Sequence, residues 1–285
     1  MSEPTTPSGG LEGFAVLVTG GGSGIGLGCA QRFATDGAHV TVCGRTEDKL
    51  VEAAAQIRST AAPGVEIQQI VCDVTDEDQV ASAVALAAAP TGQIDGVVAS
   101  AGGGSGLWPL TQVPAEDFRS VMDLNVTGTF LTLKHWARLM ASKRRGSFVG
   151  MSSIAASRSH RWFGPYGVAK AAIDALVELA ADELGPSGLR VNSIRPGLTD
   201  TELVGFVTAG GDVLDDYRGN MPLGRVGTVD DIASLARYLI GPESTWVTGQ
   251  AISADGGHHL RSGPDYSSLI EPLYGADGLR GVVEN

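Results

Sequence analysis

The stretch Phe14-Ala-Val-Leu-Val-Thr19 runs without a break into Gly20-Gly-Gly-Ser-Gly-Ile-Gly26 and then into the helix-like Leu27-Gly-Cys-Ala-Gln-Arg-Phe-Ala34. A short, wholly apolar strand needs cover on both faces, and the helix it feeds supplies part of that cover, so the segment commits the chain to a layered α/β arrangement. Gly20, Gly24 and Gly26 let the backbone turn sharply, and the unpaired N–H groups at the helix start favour an anion such as a pyrophosphate. Alone the motif is weak, since 40 glycines in 285 residues place some in loops by chance. A nucleoside-triphosphate loop is the obvious rival, but Ile25-Gly26-Leu27 lacks the lysine and hydroxyl on which such a loop ends.

Short apolar runs alternate with longer helical ones along the rest of the chain. Strands are expected over 14–19, 39–43, 66–71, 94–99, 146–151, 190–194 and 251–253, and helices near 25–36, 47–59, 76–89, 115–141, 165–184 and 228–240. Runs such as Val40-Thr-Val-Cys43 carry no period-two alternation, as expected of strands buried on both faces. The pattern predicts an α/β fold: a doubly wound parallel sheet of about seven strands, helices on both faces, right-handed crossovers and binding at the carboxyl ends of the strands. One domain over 14–257 is expected, preceded by a flexible tail over 1–13 and followed by an extension over 258–285.

With 43% apolar residues the chain can fill a sizeable core, and it has no run approaching the ~18 apolar residues of a membrane span. A net charge of −12 argues against nucleic acid or an anionic membrane as partner, so an anionic ligand must be held by local groups. Lys143-Arg-Arg145 reads as a solvated turn. Cys29, Cys43 and Cys72 have neither metal-ligand nor redox-motif spacing and read as reduced core thiols of a cytoplasmic protein. No metal site is expected, His160, His258 and His259 reading as loop histidines.

Tyr166 is followed four residues later by Lys170 and preceded by Ser153 at thirteen. On a helix, positions i and i+4 share a face, which puts an ammonium one turn from a phenol. A tyrosine titrates near ~10, so a base working near neutrality needs its pKa lowered by ~3 units, and a neighbouring cation is the simplest means. By itself Tyr-x-x-x-Lys is also compatible with a chance surface pair. Asn125, among the apolar residues of the helix expected over 115–141, is compatible with a buried side chain bonded to backbone. Ser153 competes with Ser152 and Ser157 for the carbonyl-anchor role, and no Gly-x-Ser-x-Gly elbow marks a serine nucleophile.

Taken together, Thr19-Gly-Gly-Gly-Ser-Gly-Ile-Gly26, Ser153, Tyr166 and Lys170 resemble the short-chain dehydrogenase/reductase family, over nearly everything from Phe14 to Gly257. The resemblance implies cofactor contacts at Gly20, Gly22, Ser23, Gly24, Ile25 and Gly26, at Asp73 and Val74 near the adenine, at Ala101 and Gly102, and at Pro196, Gly197 and Thr201 along the nicotinamide. It implies Asn125, Ser153, Tyr166 and Lys170 as catalytic residues: Tyr166 the general acid/base, Ser153 the carbonyl anchor, Lys170 also binding the nicotinamide ribose, and Asn125 distorting its helix and holding a proton-relay water. Two departures stand out. Ala99-Ser100-Ala101-Gly102 lacks both asparagines that the family usually carries there, and Ala169 replaces a common serine.

At the end of the second strand Gly44 stands where an acidic residue would bind a ribose 2′-hydroxyl, and Arg45 follows. NADP(H) is therefore favoured over NAD(H), although Ser23 stands where many NADP-users carry a second basic residue, and Arg45 could instead stack on adenine or cap the next helix. The expected function is interconversion of a small-molecule ketone and a secondary alcohol. The alternatives are an enoyl-thioester reductase of the same fold and a non-catalytic, dinucleotide-binding regulatory protein. The substrate itself is not legible: Gly103, Gly104, Trp108, Ala155, His160, Trp162, Phe163 and a lid-like segment 202–221 are candidates for its pocket. The 28 residues after Gly257 include Pro264, Tyr266, Leu269, Ile270, Leu273 and Tyr274, more apolar than a disordered tail usually is. They are expected to pack across a subunit interface or over a neighbour's site, in a homotetramer of the family type joined partly through helices 115–141 and 165–184.

Overall fold

The structure, a computed structural model, describes residues 10–261 and 265–282. A seven-stranded parallel sheet has the order β3-β2-β1-β4-β5-β6-β7, built from β1 (Ala15–Thr19), β2 (His39–Gly44), β3 (Ile67–Val71), β4 (Gly96–Ala99), β5 (Ser147–Met151), β6 (Arg190–Pro196) and β7 (Ala251–Ala254). The order reverses between β1 and β4, and at such a switch point the loops leave a crevice beyond the carboxyl ends of the strands. Among the described residues the helices are α1 (Gly24–Thr35), α2 (Glu47–Thr60), α3 (Glu77–Ala88), α4 (Ala115–Met122), α5 (Gly128–Met140), α6 (Tyr166–Leu184), α7 (Gly205–Thr208), α8 (Asp212–Asn220), α9 (Val229–Ile240) and α10 (Ser267–Leu279).

The apolar strands are explained by the two cores they serve. Val16 and Val18 point into one core with Phe33 of α1, Leu50 of α2 and Ile232 of α9. Leu17, between them, joins the other core with Val84 of α3, Trp136 of α5 and Ile173 of α6. Trp136 is fully buried, and its indole N–H donates to the Ile94 carbonyl at 3.0 Å, so the large side chain leaves no unpaired polar atom.

Three sequence expectations change and a fourth gains detail. The ordered domain begins before Phe14, because Leu11 is fully buried and its N–H donates to the Asp36 carbonyl at 3.1 Å; residues 1–9 of the expected tail lie outside the described residues. The helix expected over 115–141 is interrupted by a π turn over Asp123–Thr127. Arg145 is more than a solvated residue, since it pairs with the buried Asp95 carboxylate, which also accepts the Ala15 N–H at 3.0 Å. The lid-like segment 202–221 forms a 3₁₀ turn, α7 and α8, with Val207, Val213, Leu214 and Tyr217 buried in a third, smaller core.

The described part of the extension docks on its own chain. Tyr266 and Ile270 are buried, and each buried side chain of that size stabilises by roughly 1.5–3 kcal/mol. Asp265 pairs with Arg161 at 3.2 Å, and its N–H donates to Asp216 at 2.9 Å. α10 is kinked at Gly275, whose φ of 66° few other residues would adopt. Pro264 lies outside the described residues.

Candidate active site

A cavity of about 600 Å³ opens along the carboxyl edge of the sheet, lined from the loops after β1, β4, β5 and β6. Its floor is the glycine loop. A Cβ on Gly26 would stand 2.3 Å from the Gly20 carbonyl oxygen, and one on Gly20 would stand 2.8 Å from the Ala101 backbone. Gly20 and Gly24 also take φ values of 66° and 52°, open to glycine at little cost. Only bare backbone fits here, which is what brings the N–H groups at the start of α1 to the surface of the cavity. A pyrophosphate fits that cradle on charge and on space. Gly20, Ser23, Gly24, Ile25 and Gly26 line the cavity together with Ala101, Gly102, Pro196, Gly197 and Thr201.

The other expected cofactor residues, Gly22, Arg45, Asp73 and Val74, do not line the cavity. Arg45 is exposed directly beyond β2. The Asp73 carboxylate accepts the Thr75 N–H at 3.0 Å and the Thr75 hydroxyl at 2.8 Å, which makes it a brace for its own turn. Val74 is buried, packed where a Cβ on Gly128 would meet it at 2.5 Å. Gly22 faces Lys49. Sequence reasoning passed over Lys49, which lines the cavity and pairs with Glu202 at 3.3 Å; no motif marks a lysine on the first turn of α2.

Tyr166 is the first residue of α6, and its ring stands edge-on to Phe163, centroids 5.2 Å apart. One residue on, a Cβ at Gly167 would lie 2.9 Å from the Ala155 carbonyl oxygen, so a glycine is what lets α6 approach the turn that carries Ser153. The Ser153 hydroxyl is near enough to the Tyr166 phenol to act on it, in the direction that lowers its pKa. Ser152 and Ser157 are committed elsewhere, donating to the Lys170 carbonyl at 3.0 Å and the Ile154 carbonyl at 3.3 Å. Of the three serines, Ser153 is the one beside the phenol.

The Lys170 ammonium lies 5.4 Å from the Tyr166 ring centroid and donates to the Met151 carbonyl at 2.8 Å. Burial pushes it down to about 8, while the Asp174 carboxylate acts to raise it. Asp174 is held in turn by the Ser193 hydroxyl at 2.6 Å and Arg195 Nε at 2.8 Å, a buried network with no sequence signature. The phenol itself differs from expectation. Burial raises the Tyr166 pKa, and the Ser153 hydroxyl, acting to lower it, does not overcome that effect. Desolvation of the phenolate outweighs the nearby dipole, so the protein's own groups keep Tyr166 protonated near neutrality.

Asn125 is fully buried at the π turn. Its Nδ2 donates to the Val121 carbonyl at 2.8 Å, the acceptor that a regular α-helix reserves for the Asn125 backbone N–H. With that acceptor shared, the Gly128 N–H reaches back five residues to Asp123, which is the π distortion. The same amide clamps Gly103, donating to its carbonyl at 2.8 Å and accepting its N–H at 3.2 Å. Asn125 Oδ1 and Lys170 Nζ would lie 2.5 and 3.0 Å from a Cβ on Gly102, so the three residues form one cluster. The missing asparagines of this loop are partly replaced by Thr19, whose hydroxyl accepts the Ala101 N–H at 3.2 Å.

The far end of the cavity is aromatic, with His160, Phe163, Tyr217 and Tyr266 on its wall. Trp108 and Trp162 do not line it. They brace the extension instead, Trp108 against the Tyr274 ring at 6.2 Å and Trp162 by donating to Ser267 Oγ at 3.2 Å. Ala155 is likewise buried behind the wall, while Gly103 and Gly104 line it as expected.

A family model described as enoyl-(acyl carrier protein) reductase matches residues 20–259. A solved short-chain type dehydrogenase/reductase from Mycobacterium ulcerans is 49% identical, with a TM-score of 0.94 over 96% of this chain and 99% of that one. The 2,5-dichloro-2,5-cyclohexadiene-1,4-diol dehydrogenase of Sphingobium indicum is 34% identical over 87% of this chain and 97% of its own length. The 3-oxoacyl-[acyl-carrier-protein] reductase of Chlamydia muridarum is also 34% identical, over 87% of this chain and 98% of its own length. A glycine cradle at the switch point, a serine, tyrosine and lysine on one wall, and relatives matched over most of their length agree: the chain is an oxidoreductase of the short-chain dehydrogenase/reductase family.

Proposed function

We propose that the chain interconverts a carbonyl and a secondary alcohol, with Tyr166 as general acid/base and Ser153 as the anchor of the reacting oxygen. The observation that carries this reading is the meeting of Ser153, Tyr166 and Lys170 on the wall of the same cavity whose floor is the glycine cradle. A bound nicotinamide dinucleotide supplies or accepts the hydride at the carbonyl carbon. In reduction, Ser153 and Tyr166 hydrogen-bond the substrate oxygen, and Tyr166 gives up its proton as that oxygen becomes an alkoxide. Lys170 stabilises the phenolate left behind and binds the ribose. Asn125, bonded to Gly103 and next to Lys170, holds this wall in place and carries a water toward the lysine. In oxidation the same phenolate takes the alcohol proton.

The description of the matching family model favours one second reading, reduction of an enoyl thioester. Ketones, quinones, β-ketoacyl thioesters and enoyl thioesters, assayed with both reduced cofactors, separate the two. Turnover of carbonyls is expected; turnover confined to the C=C bond supports the second reading, and no turnover at all supports a regulatory role.

NADP(H) is the proposed cofactor. Arg45 is exposed at the end of β2 with no hydrogen bond or ion pair among the described residues, and Gly44 offers no carboxylate to repel a 2′-phosphate. A charge-assisted bond there stabilises by ~1.5–3 kcal/mol, roughly 10- to 150-fold in affinity. Arg45→Ala is expected to weaken NADPH binding by about that factor and leave NADH binding nearly unchanged, as read by calorimetry. Equal affinities for the two cofactors in both proteins would reject the phosphate role.

The proposed assembly is a homotetramer. The exposed Phe118 and Phe130 on α4 and α5, and Val168 and Leu179 on α6, support contact through these helices. The three buried thiols fit a cytoplasmic location.

A further inference from the structure

We propose that the hydrogen-bonded phenol pair Tyr217–Tyr266, completed by the carboxyl-terminal extension, is a second anchor that selects a ring-shaped substrate carrying a hydroxyl remote from the reacting carbon. The inference rests on the carbonyl–alcohol reading above and names its substrate class.

The two phenol oxygens are 2.8 Å apart, and both residues line the cavity although their side chains are almost wholly buried. Each phenol has one proton to donate. Their mutual bond uses one of the two, and among the described residues the other has no acceptor. A buried hydroxyl proton without a partner costs stability, which makes the pair a ready donor to a ligand in the cavity. A matching acceptor stands beside it. His160 Nδ1 lies 2.9 Å from the Arg158 carbonyl oxygen, and since that oxygen only accepts, Nδ1 carries the proton and Nε2 offers a lone pair. Burial pushes His160 down to about 4, so the ring is neutral near pH 7. Its centroid is 6.0 Å from that of Tyr217.

A donor and an acceptor side by side suit a hydroxyl, which both accepts and donates. Between this polar point and the catalytic tyrosine the wall is aromatic. The Phe163 ring stacks on Tyr266 at 5.3 Å with an interplanar angle of 20°, and stands edge-on to Tyr166 at 5.2 Å. Tyr266 is therefore one aromatic ring away from Tyr166, a span that suits a single substituted ring better than a long acyl thioester.

The test compares 4-hydroxycyclohexanone with 4-methylcyclohexanone, which differ in size by little and in the remote hydroxyl entirely. The wild type is expected to favour the hydroxylated ketone by about tenfold or more in kcat/KM, mainly through KM. The double variant Tyr217→Phe/Tyr266→Phe, which keeps the ring packing, should bring that ratio close to one, whereas either single variant leaves one phenol proton to donate and should keep part of the preference. Binding of cyclohexane-1,4-diol and of 4-methylcyclohexanol to the NADPH-loaded protein, a complex that cannot react, gives the same comparison by calorimetry without turnover. A ratio near one in the wild type, or a ratio untouched by the double variant, overturns the anchor. Equal binding of the two alcohols overturns it even if no carbonyl is reduced. Loss of all carbonyl reduction alongside selective diol binding would instead overturn the activity and leave the anchor standing.

Discussion

Tyr166→Phe is expected to lower kcat for carbonyl reduction by roughly 100- to 10,000-fold, the range that general acid–base groups contribute, while changing the cofactor dissociation constant by no more than about twofold. Phenylalanine keeps the edge-on contact with Phe163 and the position at the start of α6, and removes only the hydroxyl beside Ser153 with its proton. The fall should appear in kcat and in kcat/KM together, because the proton is needed in the transition state rather than for binding. Unfolding of the variant by heat supplies the control, since a packed ring is retained. A variant with unaltered turnover would remove Tyr166 from the chemistry.

Lys170→Met should damage two measurements at once. Turnover is expected to fall about 100-fold, and cofactor binding to weaken by roughly tenfold through loss of the ribose contact. The pH profile sharpens the assignment. Lys170, pushed down to about 8, is charged below that value and neutral above it, whereas Tyr166, pushed above its ordinary value, stays protonated throughout. Carbonyl reduction should therefore be flat at lower pH and decline as pH rises through about 8. In Lys170→Met that limb should vanish, leaving a low, flat rate. Asp174→Asn removes the carboxylate that raises Lys170, so its limb should move to lower pH. A wild-type limb that survives in Lys170→Met would belong to another group.

The raised phenol changes how the pair works. A cation next to a tyrosine suggests, from sequence, a base made unusually acidic. In the folded protein both members are buried, and burial disfavours both charged forms, the phenolate and the ammonium alike. The protein by itself thus presents a protonated phenol beside a readily discharged lysine.

Much of this was legible because it follows from short-range rules. Val16, Leu17 and Val18 are all apolar since neighbours along β1 serve opposite cores, and a run without alternation reads as a strand in any such sheet. The glycine cradle was legible because positions that cannot hold a Cβ leave a mark in the sequence itself. The distortion at Asn125 was legible only through the family resemblance: the side chain takes an acceptor from the helix backbone, and helical periodicity carries no trace of a competing hydrogen bond. Arg145 looked like a solvated turn because its partner Asp95 lies fifty residues away.

Sequence by itself therefore determined the parallel sheet, the phosphate-accepting turn and the identity of the serine, tyrosine and lysine, since each depends on residue type and on neighbours within a helical turn or a strand. Tertiary structure alone decided how far burial displaces the proton of the phenol, and that the final helix folds back to place Tyr266 against Tyr217, 49 residues apart in the chain. Hydrogen bonds and desolvation between distant segments depend on distances of a few ångströms, and those exist only once the chain has packed.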